Sequence, residues 1–241
     1  HKTTTLKASL TKQHQLFLSR PVAELNGLPQ PVSGASISIA SEDSIYVLHE
    51  DVLRPGYDLT QNNACVFAGL PCSISITYGD TILTASTTVL AGESYERLRY
   101  SKNSSDSLYH IDWVADQYNP DDYAIYEIIM DWSMVPGYEN YSPENNTAKL
   151  YYYTLYTLDV GEILQTDLAK LSFPLGTQII ERRYSITKEH ASFIRSLMLE
   201  TSWHGSLFDV AHGNVPSNFV GPGLGFFAAC GVVETTFTVN E

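Results

Sequence analysis

CSISITYGDTILTASTT, residues 72 to 88, alternates apolar and small polar side chains with a period of two. Cys72, Ile74, Ile76 and Tyr78 fall on one face and Ser73, Ser75 and Thr77 on the other, as in a strand with one buried side. Gly79 and Asp80 then supply a tight two-residue turn into TILTASTTV, so the stretch reads as a β-hairpin. Upstream, QHQLFLSR, ASISIA and SIYVLHE behave the same way, separated by the turn clusters LNGLPQPVSG and LRPGYD. Short strands at this spacing predict an immunoglobulin-like β-sandwich over residues 1–95.

Around AGESYERLRYSKNSSDS the composition turns small, polar and charged, which places a domain boundary near residue 95. Beyond it, SLYHIDWVA sets Tyr109, Ile111, Trp113 and Ala115 on one side, and YAIYEIIMDW does the same with Ala124, Tyr126, Ile128, Met130 and Trp132. KLYYYTLYTL is apolar or aromatic on both faces and is expected as a central strand, with a further strand in GTQIIERRYSI. Thr187 and Glu189 cap a helix predicted over 187–201, on which Ala191, Ile194, Leu197 and Met198 recur at helical spacing. A long ordered loop rich in Gly, Pro and Asn follows over 204–224. The expectation is a mainly β chain, with a second β-rich domain at 96–241 carrying one packed helix.

The 241 residues hold 44% apolar and only 17% charged side chains, with 16 Tyr, which suits half-buried sheets. A formal charge of −13 and the lack of any Lys or Arg run exclude phosphate backbones as partners on electrostatic grounds. No apolar run reaches the length that spans a bilayer, and HKTTTLKASL carries no hydrophobic leader, so the chain is expected to be soluble as made or to have lost a targeting segment.

The two ends of the chain resemble the DUF4249 family, a domain of unknown function in Bacteroidetes lipoproteins. The likeness is carried by PVSGASISIA, GYDL and GLPCSISITYGDTILTAS at one end. At the other it rests on YSIT, FIRSLMLETSW, GSLFD, GNVPSNF and GLGFFAA. The N-terminal pattern is also similar to carboxypeptidase-regulatory and transthyretin-like sandwiches. The resemblance implies an outer-membrane lipoprotein anchored through a lipidated Cys that this chain does not carry near its start. It further implies a place beside TonB-dependent nutrient transporters and no catalytic residues. Glu200, Trp203, Asn214, Asn218 and Gly225 keep the family order, with a structural role in fixing the long loop; the competing reading makes that loop a recognition surface. Asp43-Ser44-Ile45, Asp80-Thr81-Ile82 and Asp106-Ser107-Leu108 resemble the O-glycosylation acceptor pattern of that phylum, with Ser44, Thr81 and Ser107 as acceptors; in a Ser- and Thr-rich chain such triplets also arise by chance.

Among chemical motifs there is no Gly-x-Ser-x-Gly elbow, His-Glu-x-x-His pair, phosphate-cradling loop or dinucleotide fingerprint. Cys65 and Cys72 flank a short turn across which a disulfide fits if their Cα atoms lie about 6 Å apart, and Cys230 reads as a small buried hydrophobe. Asp116, Asn119, Asp121 and Asp122 are candidate calcium ligands, set against a solvated loop and lacking EF-hand spacing. His204, Asp209 and His212 form a weaker zinc constellation. A glycosidase pair would have to come from Asp112, Glu127, Asp131, Glu139 or Glu144. Trp113 and Trp132 sit on apolar strand faces and belong to the core, whereas Trp203 is open to either role. The expectation is therefore a binding or accessory protein without enzyme activity or cofactor, with a transporter, another envelope protein, or a glycan or peptide as partner. A secreted hydrolase and a structural adhesin module are the alternatives.

Overall fold

Tyr57 anchors the first sheet: its buried hydroxyl accepts from the Ala35 N–H and donates to the Val32 carbonyl, both at 2.9 Å. The computed structural model describes residues 2–5, 15–20, 28, 30–42, 44–51, 56–59, 68–158, 168, 171–202 and 215–241. Of these, the residues up to 91, 192–197 and 215–230 form one compact unit; residues 92–191, 198–202 and 231–241 form a second. The fold is mainly β, with antiparallel sheets and two helices among the described residues.

The first unit contains β1 (Lys2–Thr5), β2 (Gln15–Leu18), β3 (Ser36–Ser41), β4 (Ser44–Glu50), β5 (Tyr57–Leu59), β6 (Pro71–Tyr78), β7 (Thr81–Thr88) and β13 (Gly223–Leu224), in the order β13-β1-β2-β5-β4-β3-β6-β7. The expected hairpin is β6–β7, with Tyr78 opposite Thr81 across the Gly79–Asp80 turn. Ile37, Cys72, Ile74, Ile76, Leu83 and Ala85 project from one face into the core, each large aliphatic among them contributing about 1.5–3 kcal/mol. Phe219 and Phe227 complete that core from the far end of the chain. There Val220 exchanges two backbone hydrogen bonds with Thr84 on β7, while β13 pairs in parallel with β1. One segment thus ties the two outer strands of the sheet. Residues 215–230 therefore leave the expected 96–241 domain and join the N-terminal sheet, because their apolar side chains and free backbone groups are satisfied there.

The second unit contains β8 (Arg99–Lys102), β9 (Tyr109–Trp113), β10 (Ala124–Asp131), α1 (Pro143–Asn146), β11 (Thr147–Thr154), β12 (Gln178–Ser185) and β14 (Val232–Thr238). Its main sheet has the order β11-β10-β12-β14, and β8 pairs with β9 alone. Ala124, Tyr126, Ile128 and Met130 form the buried face of β10 as the alternation predicts. KLYYYTLYTL is corrected: β11 is an edge strand, and Tyr151 on it is 43% exposed. The inner positions belong to β10 and, despite its charges, to β12, whose ionic side chains find partners on either face.

Helix α2 (Lys188–Ser202) starts as expected, with Thr187 Oγ1 accepting the His190 N–H at 3.2 Å. Ala191 and Ile194 are buried, but Leu197 is 41% exposed. On a 100° per residue wheel Leu197 lies about 120° from Ala191, off the buried strip. Phe193 stacks on Phe226 with centroids 4.8 Å apart. No helix among the described residues is long and apolar enough to cross a membrane.

Candidate recognition site

The polar, charged stretch around the expected boundary near residue 95 carries β8, and with it an open hollow. This open depression of about 900 Å³ is lined by the consecutive residues Glu96 to Lys102, with Tyr109, Asn240 and Glu241. A bulge shapes its floor. Arg99 pairs with Trp113 and Tyr100 with Ile111, leaving Asp112 as the extra residue on β9. Asp112 accepts from Ser101 Oγ at 2.9 Å and lies 3.0 Å from His110 Nε2.

Aromatic rings fix the side chains here. Tyr100 stacks on Phe237 at 6.3 Å and meets Tyr109 edge-on at 6.1 Å, while its hydroxyl accepts from the Asn240 N–H at 3.2 Å. The Arg97 guanidinium lies 4.4 Å over the Phe237 ring and that of Arg99 4.5 Å over Trp113. Such contacts hold a guanidinium in place at an exposed site for roughly 0.5–1 kcal/mol and leave its donor edges open. Arg99 is paired to Glu96 at 2.7 Å. Arg97 and Lys102 form no salt bridge with a carboxylate among the described residues, two unpaired cations in a chain of net charge −13.

Beneath this wall lies Glu181, which sequence reasoning missed. It is fully buried on the core face of β12, opposite Ile128 and Thr235. Its Oε2 accepts the Leu98 N–H at 3.2 Å, its backbone carbonyl accepts the Tyr95 hydroxyl at 2.7 Å, and its Oε1 has no partner. Burial pushes its carboxyl up to about 7, against the opposing pull of the Leu98 N–H and the Arg97 charge. Two positions along, Arg183 is 1% exposed and forms a bidentate pair with Asp122, also donating to Ser185 Oγ at 2.8 Å. The signal for both residues was their parity with Ile179, a core position.

On the opposite face of the same sheet, Glu127 is clamped by Lys149, by Arg182 at 2.9 Å and by the Tyr184 hydroxyl at 2.8 Å. Burial alone would raise its carboxyl, but these donors hold it at about 2. It is an ion-pair centre that stays charged, unsuited to giving up a proton as a general acid. The other carboxylates proposed for glycoside chemistry have local duties. Asp112 is held in the bulge, Asp131 accepts the Ser133 N–H, Glu139 accepts the Gly137 N–H, and Glu144 sits exposed in the first turn of α1.

The calcium candidates are not brought together as a cage. Asn119 Oδ1 caps the N–H groups of Asp121 and Asp122 at 3.2 Å, Asp116 accepts from Trp113 Nε1, and Asp122 is turned to Arg183. Among the described residues no three His, Cys, Asp or Glu side chains converge as a metal site. His204, Asp209, His212, Trp203, Asn214 and Cys65 lie outside the described residues, and the Cys65–Cys72 bridge with them. Cys72 is buried in the first core, and burial pushes the Cys230 thiol up to about 12, leaving it protonated at neutral pH. Trp132 is buried; Trp113 is only half-buried.

Asn218 donates to the Phe227 carbonyl at 2.7 Å and accepts its N–H at 2.8 Å, replacing a strand partner. Gly225 adopts φ 153°, and Glu200 lies in α2. Ser44, Thr81 and Ser107 each lie at or beside a hairpin turn. No protein-family model matches the chain, and no match is found among curated proteins.

Proposed function

We propose that this chain is the non-catalytic ectodomain of a lipid-anchored envelope protein, a binding or accessory component of an outer-membrane uptake system, with its recognition site in the hollow along β8. One observation carries the recognition reading: Arg97 and Lys102, which form no salt bridge with a carboxylate among the described residues, flank Tyr100 in an open hollow of an otherwise acidic chain. The DUF4249 resemblance supports the envelope setting. Affinity capture with the tagged chain from native membranes should recover an outer-membrane transporter or another envelope protein. Recovery of neither overturns the envelope assignment, and an R97Q/K102Q variant that captures the same partners with equal yield overturns the assignment of the hollow.

A hydrolase reading draws on Glu181, a carboxyl poised near 7. Its complete burial keeps it from touching a substrate, and Glu127 lies on the other face of the sheet. Turnover of chromogenic glycosides or peptides that is lost in E181Q would establish the hydrolase instead.

A further inference from the structure

We propose that the hollow takes an extended acidic peptide, which adds as a third strand to the free edge of β8; this rests on the recognition reading above. The backbone geometry specifies the edge. Tyr109 directs both its N–H and its carbonyl to Phe173, at 2.8 and 2.9 Å, so Lys102–Tyr109 is a non-hydrogen-bonded pair of the β8–β9 ladder. Antiparallel pairs alternate. Tyr100, opposite Ile111, is therefore of the same kind, and the N–H and carbonyl groups of Tyr100 and Lys102 point away from β9. Among the described residues no strand lies on that side, and no further hydrogen bond joins these groups to another described element.

The next group in the outward series, the Leu98 N–H, already donates to the Glu181 carboxylate oxygen. The edge thus presents donors and acceptors two residues apart, the repeat of an extended peptide backbone. Charge selects the sequence. With Glu96 paired to Arg99, the remaining charges of the lining are Arg97, Lys102 and Glu241, and the Arg97 guanidinium is held over the Phe237 ring. Arg97 and Lys102 are an odd number of residues apart and fall on opposite faces of the extended segment, so a peptide carrying Asp or Glu on both of its faces meets both cations.

The test uses fluorescein-labelled ten-residue peptides with Glu-Glu pairs separated by Thr, Val or Tyr, so that both strand faces are acidic, matched peptides with Gln or Lys in place of Glu, and acidic peptides N-methylated at every second amide. Fluorescence anisotropy with the full chain should show the acidic peptides binding at least about tenfold tighter than the Gln forms, the Lys forms not binding, and R97Q/K102Q losing about tenfold. N-methylation should abolish binding, because the strand ladder needs those amides. Equal binding of methylated and unmethylated peptides overturns strand addition while leaving the recognition site in place. Preference for an acidic or neutral oligosaccharide over every peptide also overturns this inference and leaves that site. Binding of neither peptides nor oligosaccharides overturns both.

Discussion

Replacing Glu181 by Gln should remove a pH dependence of stability that the native fold carries. The carboxyl is fully buried with one oxygen unpartnered, so its neutral form is the one the fold tolerates, and its value rises from 4.5 to about 7. For a carboxyl raised on folding, the folded chain keeps a proton that the unfolded chain has released. The stability this proton confers is full below pH 4.5 and is lost progressively as pH climbs through about 7. At about 1.4 kcal/mol per pH unit for one proton, the loss amounts to about 3 kcal/mol by pH 8. Gln keeps the shape and still accepts from the Leu98 N–H, but has nothing to ionise. Urea denaturation of both proteins between about pH 4.5 and 8.5 should therefore give near-equal stabilities at the acid end, with E181Q ahead by about 3 kcal/mol at the alkaline end. His190, whose ring burial depresses to about 4, also titrates on unfolding within this range, but it is common to both proteins and cancels in the difference. A difference that stays flat with pH would refute the account, since Glu181 would then be ionised, or neutral, in both states.

Truncating Glu127 to Ala leaves Arg182 and Lys149 without their shared carboxylate and should cost roughly 3–5 kcal/mol in chemical denaturation. E127Q should remove part of the acid sensitivity that the native protein shows as pH falls from 4.5 to about 2. Gly221 has φ 116°, and a Cβ there would stand 2.5 Å from the Ile82 carbonyl oxygen, whereas Gly69, at φ 86°, has open space. Thermal melts should show G221A losing clearly more than the roughly 1–2 kcal/mol of backbone strain expected for G69A. Asn218→Ala removes both hydrogen bonds to Phe227 and should cost about 2 kcal/mol, with amide exchange of the Phe227 N–H accelerated; N218D, which keeps the acceptor alone, should recover that protection.

The legibility of this fold follows from how far each residue's role is set by its neighbours in sequence. Strands β6, β7 and β10 and the cap of α2 are local patterns, and period and turn chemistry expose them. Strand β8 was concealed because it spans only Arg99–Lys102, faces a bulge on β9, and lies in the small, polar and charged stretch that marks the domain boundary. Apolar content misplaced β11: the aromatic strand lies at the edge, while β12, with Glu181 and Arg183 at core parity, is an inner strand. Their burial is tolerated only because Leu98 and Asp122, far along the chain, reach them. The return of residues 215–230 to the first sheet is likewise a long-range pairing that no window of sequence displays. The hollow was unreadable for the same reason, since its rings and cations come from β8, β9 and the strand that ends the second sheet.

The strap formed by Val220 and Gly223–Leu224 has a consequence for synthesis. If the N-terminal sheet forms before residues 215–230 are made, its β1 and β7 borders are bare, and bare borders invite partner molecules to stack on. Only when translation has passed residue 224 does the nascent chain possess the piece that seals them. A ribosome stalled before that codon would release a species whose sheet is folded yet adhesive, so aggregation should fall abruptly once the strap is included.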